Sequence, residues 1–375
     1  MAGIYIHIPF CKKKCHYCNF FSLASTKYRD EFVDVLIKEI CQRKSEVKQP
    51  ISSIYFGGGT PSLLKRKELD AIFNQLHKCY QISKDIEITF EANPDDLSEN
   101  YLAELKNTEV NRLSIGIQSF NDDDLYSVNR IHSGQEAYHS VLRAKQAGFC
   151  HLSLDLIYGI PSSDLFIWED NLRKIKELDT DHLSAYSLTQ EPKTAYDILV
   201  KKGEAKAPDE ERAIEQYEML QDFLPELQME QYEISNYARN QKYAVHNTNY
   251  WKGVPYIGFG PSAHSYNGTH RRWNIAQLKK YLDSAKTGFV AYEDEKLNLS
   301  NQWNEWVMTS LRTKWGIDFD QPPQKFPDEW KTQFNRIASQ HIRQGLIVKD
   351  NSLFKLTSKG NLYADGVAAD FFIDI

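Results

Sequence analysis

Short apolar runs and amphipathic stretches alternate along the first half of the chain. Runs rich in Ile, Val, Tyr and Phe predict strands at residues 4–10, 51–56, 86–90, 112–117, 151–158 and 182–188. Apolar positions at helical spacing predict helices between them at residues 28–40 (with Thr26 as N-cap), 65–77, 99–107, 135–147 and 165–178. Such repeats indicate parallel strands joined by right-handed crossovers. Six units are too few for an eight-stranded barrel, so we expect an α/β fold with a partial (β/α)6 barrel.

Chemically useful residues stand close to the end of each predicted strand. In barrels of this kind the active site gathers at the C-terminal ends of the strands, so these residues should meet at one rim. They are Cys11, Gly57–Thr60, Glu91, Gln118, Asp155 and Thr189. The glycine run at 57–59 lacks the Lys-Ser/Thr of a phosphate loop. Its backbone could approach a ligand closely, or it could form a tight strand-to-helix turn.

The strand–helix alternation stops near Pro208. A predicted helix at 209–224 precedes a region rich in Tyr, Asn and Gly that we interpret as irregular up to about residue 274. Helices at 301–313 and 330–344, a hairpin at 346–356 turning at Asp350 and Asn351, and a helix after Thr357 predict a smaller, mostly helical, winged-helix-like unit. We therefore expect a barrel at 1–207, a connecting region at 208–299 and a C-terminal domain at 300–375.

Composition and charge exclude several classes of protein. The 375 residues are 41% hydrophobic and 26% charged, which is typical of a globular protein. A net charge of −6 without a basic stripe argues against a non-specific nucleic-acid binder. We see neither an apolar run long enough to cross a bilayer nor a signal peptide. Six cysteines in a chain of this length do not form a disulfide framework, so we expect a reducing compartment, the cytoplasm.

Three cysteines on one short loop carry the strongest chemical signal. Cys11, Cys15 and Cys18 follow the first predicted strand, and three soft sulfur ligands on one loop suit an iron–sulfur cluster. The remaining cysteines lie in apolar helical or strand contexts, which would leave one iron open to a chelating molecule. Two alternatives remain: zinc held by these cysteines with His7 or His16, and packed, unligated thiols.

The combined motifs resemble those of the radical S-adenosylmethionine (SAM) superfamily, in its oxygen-independent coproporphyrinogen III oxidase branch. The resemblance covers nearly the whole length and rests on residues 5–11, the Cys-x3-Cys-x2-Cys run, and residues 57–61, 91–94, 116–120, 129–130 and 155–159. It implies a [4Fe-4S] cluster on Cys11, Cys15 and Cys18. It also implies a SAM site: Tyr5 and Tyr17 lining the molecule, Gly58, Gly59 and Thr60 at its amino end, Glu91, Gln118, Arg130 and Asp155 at its carboxylate, ribose or neighbouring polar groups, and the backbone of Thr189 at the adenine.

Two features separate this chain from the oxidases of that branch. Those enzymes carry an extension before the cluster motif and a fourth cysteine two residues after the third, where this chain has Phe20. In addition, His246, Asn247, Tyr250 and Trp251 are similar to the His-Asn-x-x-Tyr-Trp motif of HemW-type haem chaperones. Without that family, a lone histidine such as His246 would be interpreted as a surface or hydrogen-bonded loop residue.

The resemblance implies a chaperone that binds haem and hands it to acceptor haem proteins, for example respiratory ones, with an electron donor for the cluster. His246 would be the axial ligand, nearby Tyr and Trp would stack on the porphyrin, and Arg271 and Arg272 would pair with its propionates. Oxidative decarboxylation of coproporphyrinogen III is the alternative enzyme function and is not expected here. A zinc-binding structural or interaction protein is the third. Peripheral membrane contact is compatible with the sequence, although no basic amphipathic helix is evident.

Overall fold

The computed structural model describes residues 1–286, 288 and 290–373, so the last two residues of the expected C-terminal domain lie outside the described part. The described strands form one twelve-stranded mixed sheet and one three-stranded sheet. The strands are β1 (Ala2–Ile8), β2 (Ile51–Gly58), β3 (Ile82–Ala92), β4 (Arg112–Gln118), β5 (His151–Tyr158), β6 (His182–Ser187), β7 (Met229–Glu233), β8 (Asn236–Arg239), β9 (Tyr256–Phe259), β10 (His264–Tyr266), β11 (His270–Asn274), β12 (Tyr292–Lys296), β13 (Ile317–Asp318), β14 (Ile347–Asp350) and β15 (Leu353–Leu356).

Helices connect and cover these strands. The α-helices are α1 (Arg29–Gln42), α2 (Arg66–Cys79), α3 (Glu99–Lys106), α4 (Asp122–Ser127), α5 (Gly134–Gln146), α6 (Leu165–Leu178), α7 (Ala195–Lys201), α8 (Glu210–Leu227), α9 (Val245–Trp251), α10 (Leu278–Lys286), α11 (Leu299–Leu311), α12 (Asp328–Arg343), α13 (Ser358–Asn361) and α14 (Ala364–Ala369). None of the helices in the described ranges is long and apolar enough to cross a membrane.

The first six strands are parallel and lie side by side in chain order. Their pairing puts alternate residues on opposite faces, so Ile4, Ile6 and Ile8 of β1 are buried in the apolar core together with the facing helices. Tyr5 stands opposite Tyr55 in the register of β1 and β2. The α/β fold with a partial (β/α)6 barrel is thereby confirmed, and the alternate face of each strand is free to carry chemistry.

The middle region is not irregular, which corrects the sequence interpretation. β8 and β7 extend the sheet beyond β6, while β9 pairs in parallel with β1 and is followed by β10, β11 and β12. These strands have only three to five residues. All residues of β12 are exposed, so no apolar alternation marks it in the sequence. Since one sheet runs through both regions, the boundary at 207/208 stays a prediction.

The C-terminal unit has its own core of aromatic side chains, centred on Trp303, Phe334 and Phe354. Helices α11 and α12 pack with the small sheet β13–β15–β14, which fits the winged-helix-like expectation. Asn351 has a φ of 53°, as the predicted hairpin turn requires. The expected final helix is divided into α13 and α14.

Some local predictions were wrong. The side chain of Thr26 does not cap α1, because that helix begins three residues later, after Tyr28. The sequence analysis missed the short helices α4, α7 and α9, each of six or seven residues. α9 carries His246, which was expected on a loop. Helices this short depend on tertiary contacts more than on their own periodicity.

Candidate functional site

One cavity of about 1820 Å³ opens at the C-terminal side of the barrel strands. Every residue predicted for the cluster, the SAM site and the haem ligand lines it. They are Cys11, Cys15, Cys18, Tyr5, Tyr17, Gly58, Gly59, Thr60, Glu91, Gln118, Arg130, Asp155, Thr189 and His246. The structure therefore brings together residues that are up to 241 positions apart in the sequence, from Tyr5 to His246.

The cysteine loop leaves β1 and is tied back by backbone hydrogen bonds. The amide of Cys11 donates to the carbonyl of Leu23 at 2.9 Å, and the amide of Cys18 donates to the carbonyl of Cys15 at 3.3 Å. All three thiols are free and half-buried. Burial raises the pKa of the Cys11 and Cys18 thiols, and the neighbouring cysteine sulfurs raise it further. Binding a metal centre would offset this by stabilising the thiolates.

The donor set fits a cluster better than a single ion. Three neighbouring sulfurs with no fourth cysteine match a [4Fe-4S] cube that keeps one iron open. Within the described ranges, no three His, Cys, Asp or Glu side chains are grouped closely enough to hold one metal ion. Sulfurs that bind three different irons of a cube stand farther apart than ligands of one ion.

Arg130 ties the cysteine loop to the barrel. Its Nη1 lies 3.4 Å from the sulfur of Cys15, while its Nη2 donates to the carbonyl of Gly116 at 2.6 Å and to the Oδ1 of Asn93 at 2.8 Å. Its Nε is buried and has no hydrogen-bond partner in the described part of the chain. A buried donor without a partner is costly, so this atom is available to an acceptor oxygen of a ligand.

The glycine run is shaped by close packing. Gly58 has a φ of 104°, and a Cβ there would lie 2.5 Å from the ring of His7. A Cβ on Gly59 would lie 2.7 Å from the carbonyl oxygen of Phe10. The amides of Gly58, Gly59 and Thr60 already donate to Glu91, to Ile8 and to Phe10. With these amide donors used, the backbone of residues 58–60 can offer a ligand its carbonyl acceptors, which suits an ammonium group.

Two acidic side chains face the same cavity. Burial, followed by the nearby charge of Asp155, raises the pKa of Glu91 to about 7, although Tyr55 donates to it at 2.6 Å. Burial raises the pKa of Asp155 to about 6 against the opposing hydrogen bonds of serine hydroxyls, such as Ser114 at 3.0 Å. Asp155 lies in the middle of β5 rather than at its end, so it faces the barrel interior below the rim. A cation such as a sulfonium would favour the ionised form of both carboxyl groups.

The opposite wall is apolar. Tyr17, Ile157 and Leu188 line the cavity and pack in one small hydrophobic cluster. Thr189 follows β6 beside this cluster, and its hydroxyl donates to Glu191 at 3.1 Å. A flat heteroaromatic ring such as adenine would fit between this wall and the neighbouring backbone.

His246 is buried in helix α9, so its expected place on a surface loop was wrong, whereas the expectation that its ring is hydrogen-bonded agrees with the structure. Its Nδ1 lies 2.9 Å from the hydroxyl of Ser53, and its Nε2 lies 2.9 Å from the hydroxyl of Tyr250. Its ring stacks on Tyr55 with centroids 5.2 Å apart. Burial lowers its pKa to about 3, so the imidazole is neutral at physiological pH. The amides of Val245 and His246 donate to the carboxylate of Glu87, and these two hydrogen bonds fix the start of α9.

The outer wall contains residues that the sequence analysis did not single out. Helix α11 contributes several side chains to the lining: Gln302, Glu305, Trp306, Met308 and Thr309. Arg271 lines the cavity and pairs with Glu305 at 2.8 Å. Arg272 is not among the lining residues; it pairs with Glu46 at 3.0 Å and lies over the ring of Tyr292. No local signal could have found the α11 residues, because they reach the site only when the C-terminal unit docks.

Comparisons with known proteins agree with this architecture. Residues 5–185 match the Radical SAM superfamily, and residues 297–363 match the HemN C-terminal domain. The chain is 35% identical to the "Heme chaperone HemW" of Bacillus subtilis, with 99% of both chains covered. It is 31% identical to the "Heme chaperone HemW" of Lactococcus lactis, covering 99% of this chain and 97% of that one. The solved structure of coproporphyrinogen III oxidase (HemN) from Escherichia coli superposes with a TM-score of 0.86 at 24% identity, covering 99% of this chain and 90% of that one, and so shares the fold.

Proposed function

Because this chain belongs to the HemW family of the radical SAM superfamily, we propose that it is a haem chaperone, which binds haem in its cavity and transfers it to acceptor haem proteins. Superfamily membership implies a [4Fe-4S] cluster and SAM as its cofactors. The haem, its ligand and its transfer are the proposed part. The chaperone name of the full-length relatives supports this choice of cargo.

The observation that carries the proposal is the continuity and size of the cavity. It extends from the cysteine loop past His246 to helix α11. Its volume of about 1820 Å³ exceeds the roughly 300–1,000 Å³ of a pocket for one small molecule. A site for SAM alone would not need the aromatic part of the cavity next to helix α11, which includes Tyr250, Tyr256 and Trp306. The volume is therefore best explained by two ligands, SAM at the inner end and a porphyrin outside it.

At the end of the cavity next to the cysteine loop, we assign roles from the hydrogen bonds and burial of the residues there. Cys11, Cys15 and Cys18 would hold the cluster, which when bound supplies an open iron and one electron for SAM. Carbonyl acceptors of Gly58, Gly59 and Thr60 would take the ammonium of SAM. The unpaired Nε of Arg130 would take its carboxylate.

The remaining SAM contacts follow from charge and polarity. Glu91 and Asp155 would face positive or hydroxyl groups, because both carboxyl groups line the cavity close to each other. Gln118, the last residue of β4, would contact the neighbouring polar groups. Tyr5 and Tyr17 would line the molecule, and the backbone of Thr189 would face the adenine.

At the outer end we propose that His246 ligates the haem iron. Its imidazole is neutral, as a metal ligand must be, but its Nε2 is held by Tyr250. Tyr250 would have to turn away before the nitrogen could reach iron. Trp251 lines the same wall, and its Nε1 is buried without a hydrogen-bond partner in the described ranges, which suits a propionate oxygen.

The partners of such a chaperone follow from its chemistry. It needs an electron donor for the cluster and an acceptor haem protein, for example a respiratory one. We place it in the cytoplasm, since its thiols must remain reduced to hold a cluster.

Haem titration of the anaerobically reconstituted protein tests the proposal. We expect a saturable shift of the Soret band, followed by loss of the bound haem to an added apo-haem protein. His246→Ala should weaken haem binding and leave the cluster absorbance intact. His139→Ala, on helix α5 and outside the lining residues, is the matched control.

Two other outcomes would replace the proposal. Formation of protoporphyrinogen from coproporphyrinogen III, with SAM and reductant and without oxygen, would identify a decarboxylating enzyme. Zinc in place of iron after reconstitution, with no SAM binding, would identify a structural or interaction protein.

A further inference from the structure

We propose that His264 ligates the iron of the incoming haem in addition to His246. Tyr256, Tyr266 and Arg271 would form the surface on which the porphyrin binds. This inference rests on the proposed function and concerns the part of the cavity wall that would bind haem.

Four histidines line the cavity in the described structure: His7, His182, His246 and His264. The first three have both ring nitrogens engaged. His7 lies 3.1 Å from the hydroxyl of Tyr5 and 2.8 Å from the carbonyl of Phe21. His182 lies 2.7 Å from Ser153 and 2.9 Å from Tyr232. His246 is held by Ser53 and Tyr250, so each of these rings must lose a hydrogen bond before it can bind iron.

His264 differs from these three. Across the described ranges, neither of its ring nitrogens has a hydrogen-bond partner, and the residue is exposed. Its ring stacks on Trp273 with centroids 5.9 Å apart and planes inclined by 24°. Trp273 is its cross-strand neighbour on β11 and is not among the lining residues. Partial burial and the charge of Arg271 lower the pKa of His264, which keeps a nitrogen lone pair available at neutral pH.

The backbone around His264 fixes the position of this ring. Gly260 and Ser262 have φ angles of 93° and 66°, which turn the chain after β9 so that β10 folds back beside it. A Cβ on Gly260 would lie 2.5 Å from the carbonyl oxygen of His7. In the register of β10 and β11, His264 stands opposite Trp273 and Tyr266 opposite Arg271. His264 and Tyr266, two residues apart, therefore share one face of β10.

That face continues an aromatic row toward His246. The rings of Tyr266 and Tyr256 lie 6.3 Å apart, those of Tyr256 and Tyr250 lie 4.6 Å apart, and Tyr250 contacts His246. All of these residues line the cavity. A porphyrin is a flat apolar ring, and a row of aromatic side chains is the surface on which such a ring packs. His264 and His246 therefore stand at opposite ends of this aromatic row.

A cation lies beside the same row. The guanidinium of Arg271 lies 5.6 Å from the ring centroid of Tyr266 and is paired with Glu305, but its Nε is buried without a partner in the described part of the chain. This donor can take a propionate oxygen. An imidazole with a free nitrogen, an aromatic surface and a cation are the three groups that a haem requires, and they occur together on one wall.

Parallel titrations with haem and with metal-free protoporphyrin IX test the inference in the full-length, anaerobically reconstituted protein. His264→Ala should weaken haem binding at least tenfold and shift the Soret band. It should leave protoporphyrin IX binding unchanged, because only haem offers iron to an imidazole. His270→Ala, an exposed histidine on β11 outside the lining residues, should behave as the wild type. Added imidazole should restore the wild-type haem spectrum in His264→Gly.

Unchanged haem affinity and spectrum in His264→Ala would overturn the inference, and so would an equal loss of haem and protoporphyrin IX binding. If only His246→Ala lost haem binding, the inference would fail while the proposed function stood. A wild-type protein that bound neither compound would fail the proposed function itself. Should His264→Ala lose its circular dichroism spectrum, His264→Gln would carry the same comparison with a polar side chain in place.

Discussion

The Nε2 atom of His246 lies 2.9 Å from the hydroxyl of Tyr250, one helical turn further along α9. The two side chains are therefore hydrogen-bonded to each other. This contact holds the imidazole in place. In the proposed haem-binding role of His246, the hydrogen bond would have to break before Nε2 could reach iron.

Tyr250→Phe should therefore tighten haem binding by about fivefold, because a hydrogen bond worth about 1 kcal/mol no longer has to break. The measurement is haem titration by Soret absorbance. Tyr243→Phe is the control, since Tyr243 is bonded to Glu230 and Lys314 and is not among the lining residues. Weaker haem binding in Tyr250→Phe would show that the hydroxyl contacts haem instead of blocking its ligand.

Gly59→Ala should impair cluster assembly. The added Cβ would meet the carbonyl oxygens of Phe10 and Ile8 at 2.7 and 2.8 Å, and the sulfur of Cys11 at 3.1 Å. Overpacking of this kind costs about 1–3 kcal/mol, and here it displaces a cluster ligand. Iron content per chain should fall after reconstitution. Gly366→Ala is the control, because nothing lies within 4 Å of its Cβ position; a normal iron content in both variants would contradict the assignment.

SAM affinity should rise with pH through the titration of Glu91. Its pKa is raised to about 7, so it is mostly protonated at pH 6 and mostly ionised at pH 8. A cationic ligand prefers the ionised form, which predicts about tenfold tighter SAM binding at pH 8 than at pH 6. Anaerobic calorimetric titration at both pH values measures it. Glu91→Gln should flatten the dependence, and tighter binding at pH 6 in the wild type would refute the role.

The same group links pH to stability with the opposite sign. Because its folded-state pKa exceeds its unfolded value, the folded chain binds the proton more tightly, and the stability that this proton contributes is present below the unfolded pKa. That contribution is lost as pH rises through about 7, and Asp155 behaves alike up to about pH 6. The SAM-free protein should therefore unfold at a lower temperature at pH 8 than Glu91→Gln does. Equal melting temperatures at pH 8 would exclude a buried ionised Glu91.

Arg130→Gln should lower the reduction potential of the cluster. Reduction adds negative charge, and the guanidinium 3.4 Å from the Cys15 sulfur stabilises that charge. A redox titration followed by electron paramagnetic resonance measures the potential. Arg143→Gln, which removes an ion pair with Glu136 away from the lining residues, is the control. An unchanged potential in Arg130→Gln would show that the arginine acts only by holding the loop.

The barrel could be predicted from the sequence because its strands have a clear apolar pattern. Most residues of β5 are buried and α6 has a buried apolar face, so these elements were delimited at His151–Tyr158 and Leu165–Leu178 from their apolar pattern alone. The strand-end residues of the cavity, such as Glu91 and Gln118, followed from a geometric rule, since strand ends of one barrel meet at one side. Tyr17, Arg130 and His246 were expected there only from the family resemblance. Asp155 is an exception to the geometric rule, because it lines the cavity from the middle of β5 rather than from its end.

What the sequence did not predict depends on long-range contacts. α9 was missed because its first amides are satisfied by Glu87, 159 positions away from His246. The hydrogen-bonded state of each cavity histidine is equally invisible, since Ser53 and His246 meet only in the fold. His264 gives no helical or strand periodicity of its own on a strand of three residues. Its role emerges only when its ring nitrogens are compared with those of His7, His182 and His246.

Haem binding in the histidine-lined cavity is the property on which the proposed function depends. The most direct test is a haem titration of the anaerobically reconstituted wild type and of the double variant His246→Ala/His264→Ala, with iron content measured in both. We expect a saturable Soret shift in the wild type and its loss in the double variant, with equal cluster iron. Equal haem binding by both proteins, or no saturable binding by the wild type, would contradict it.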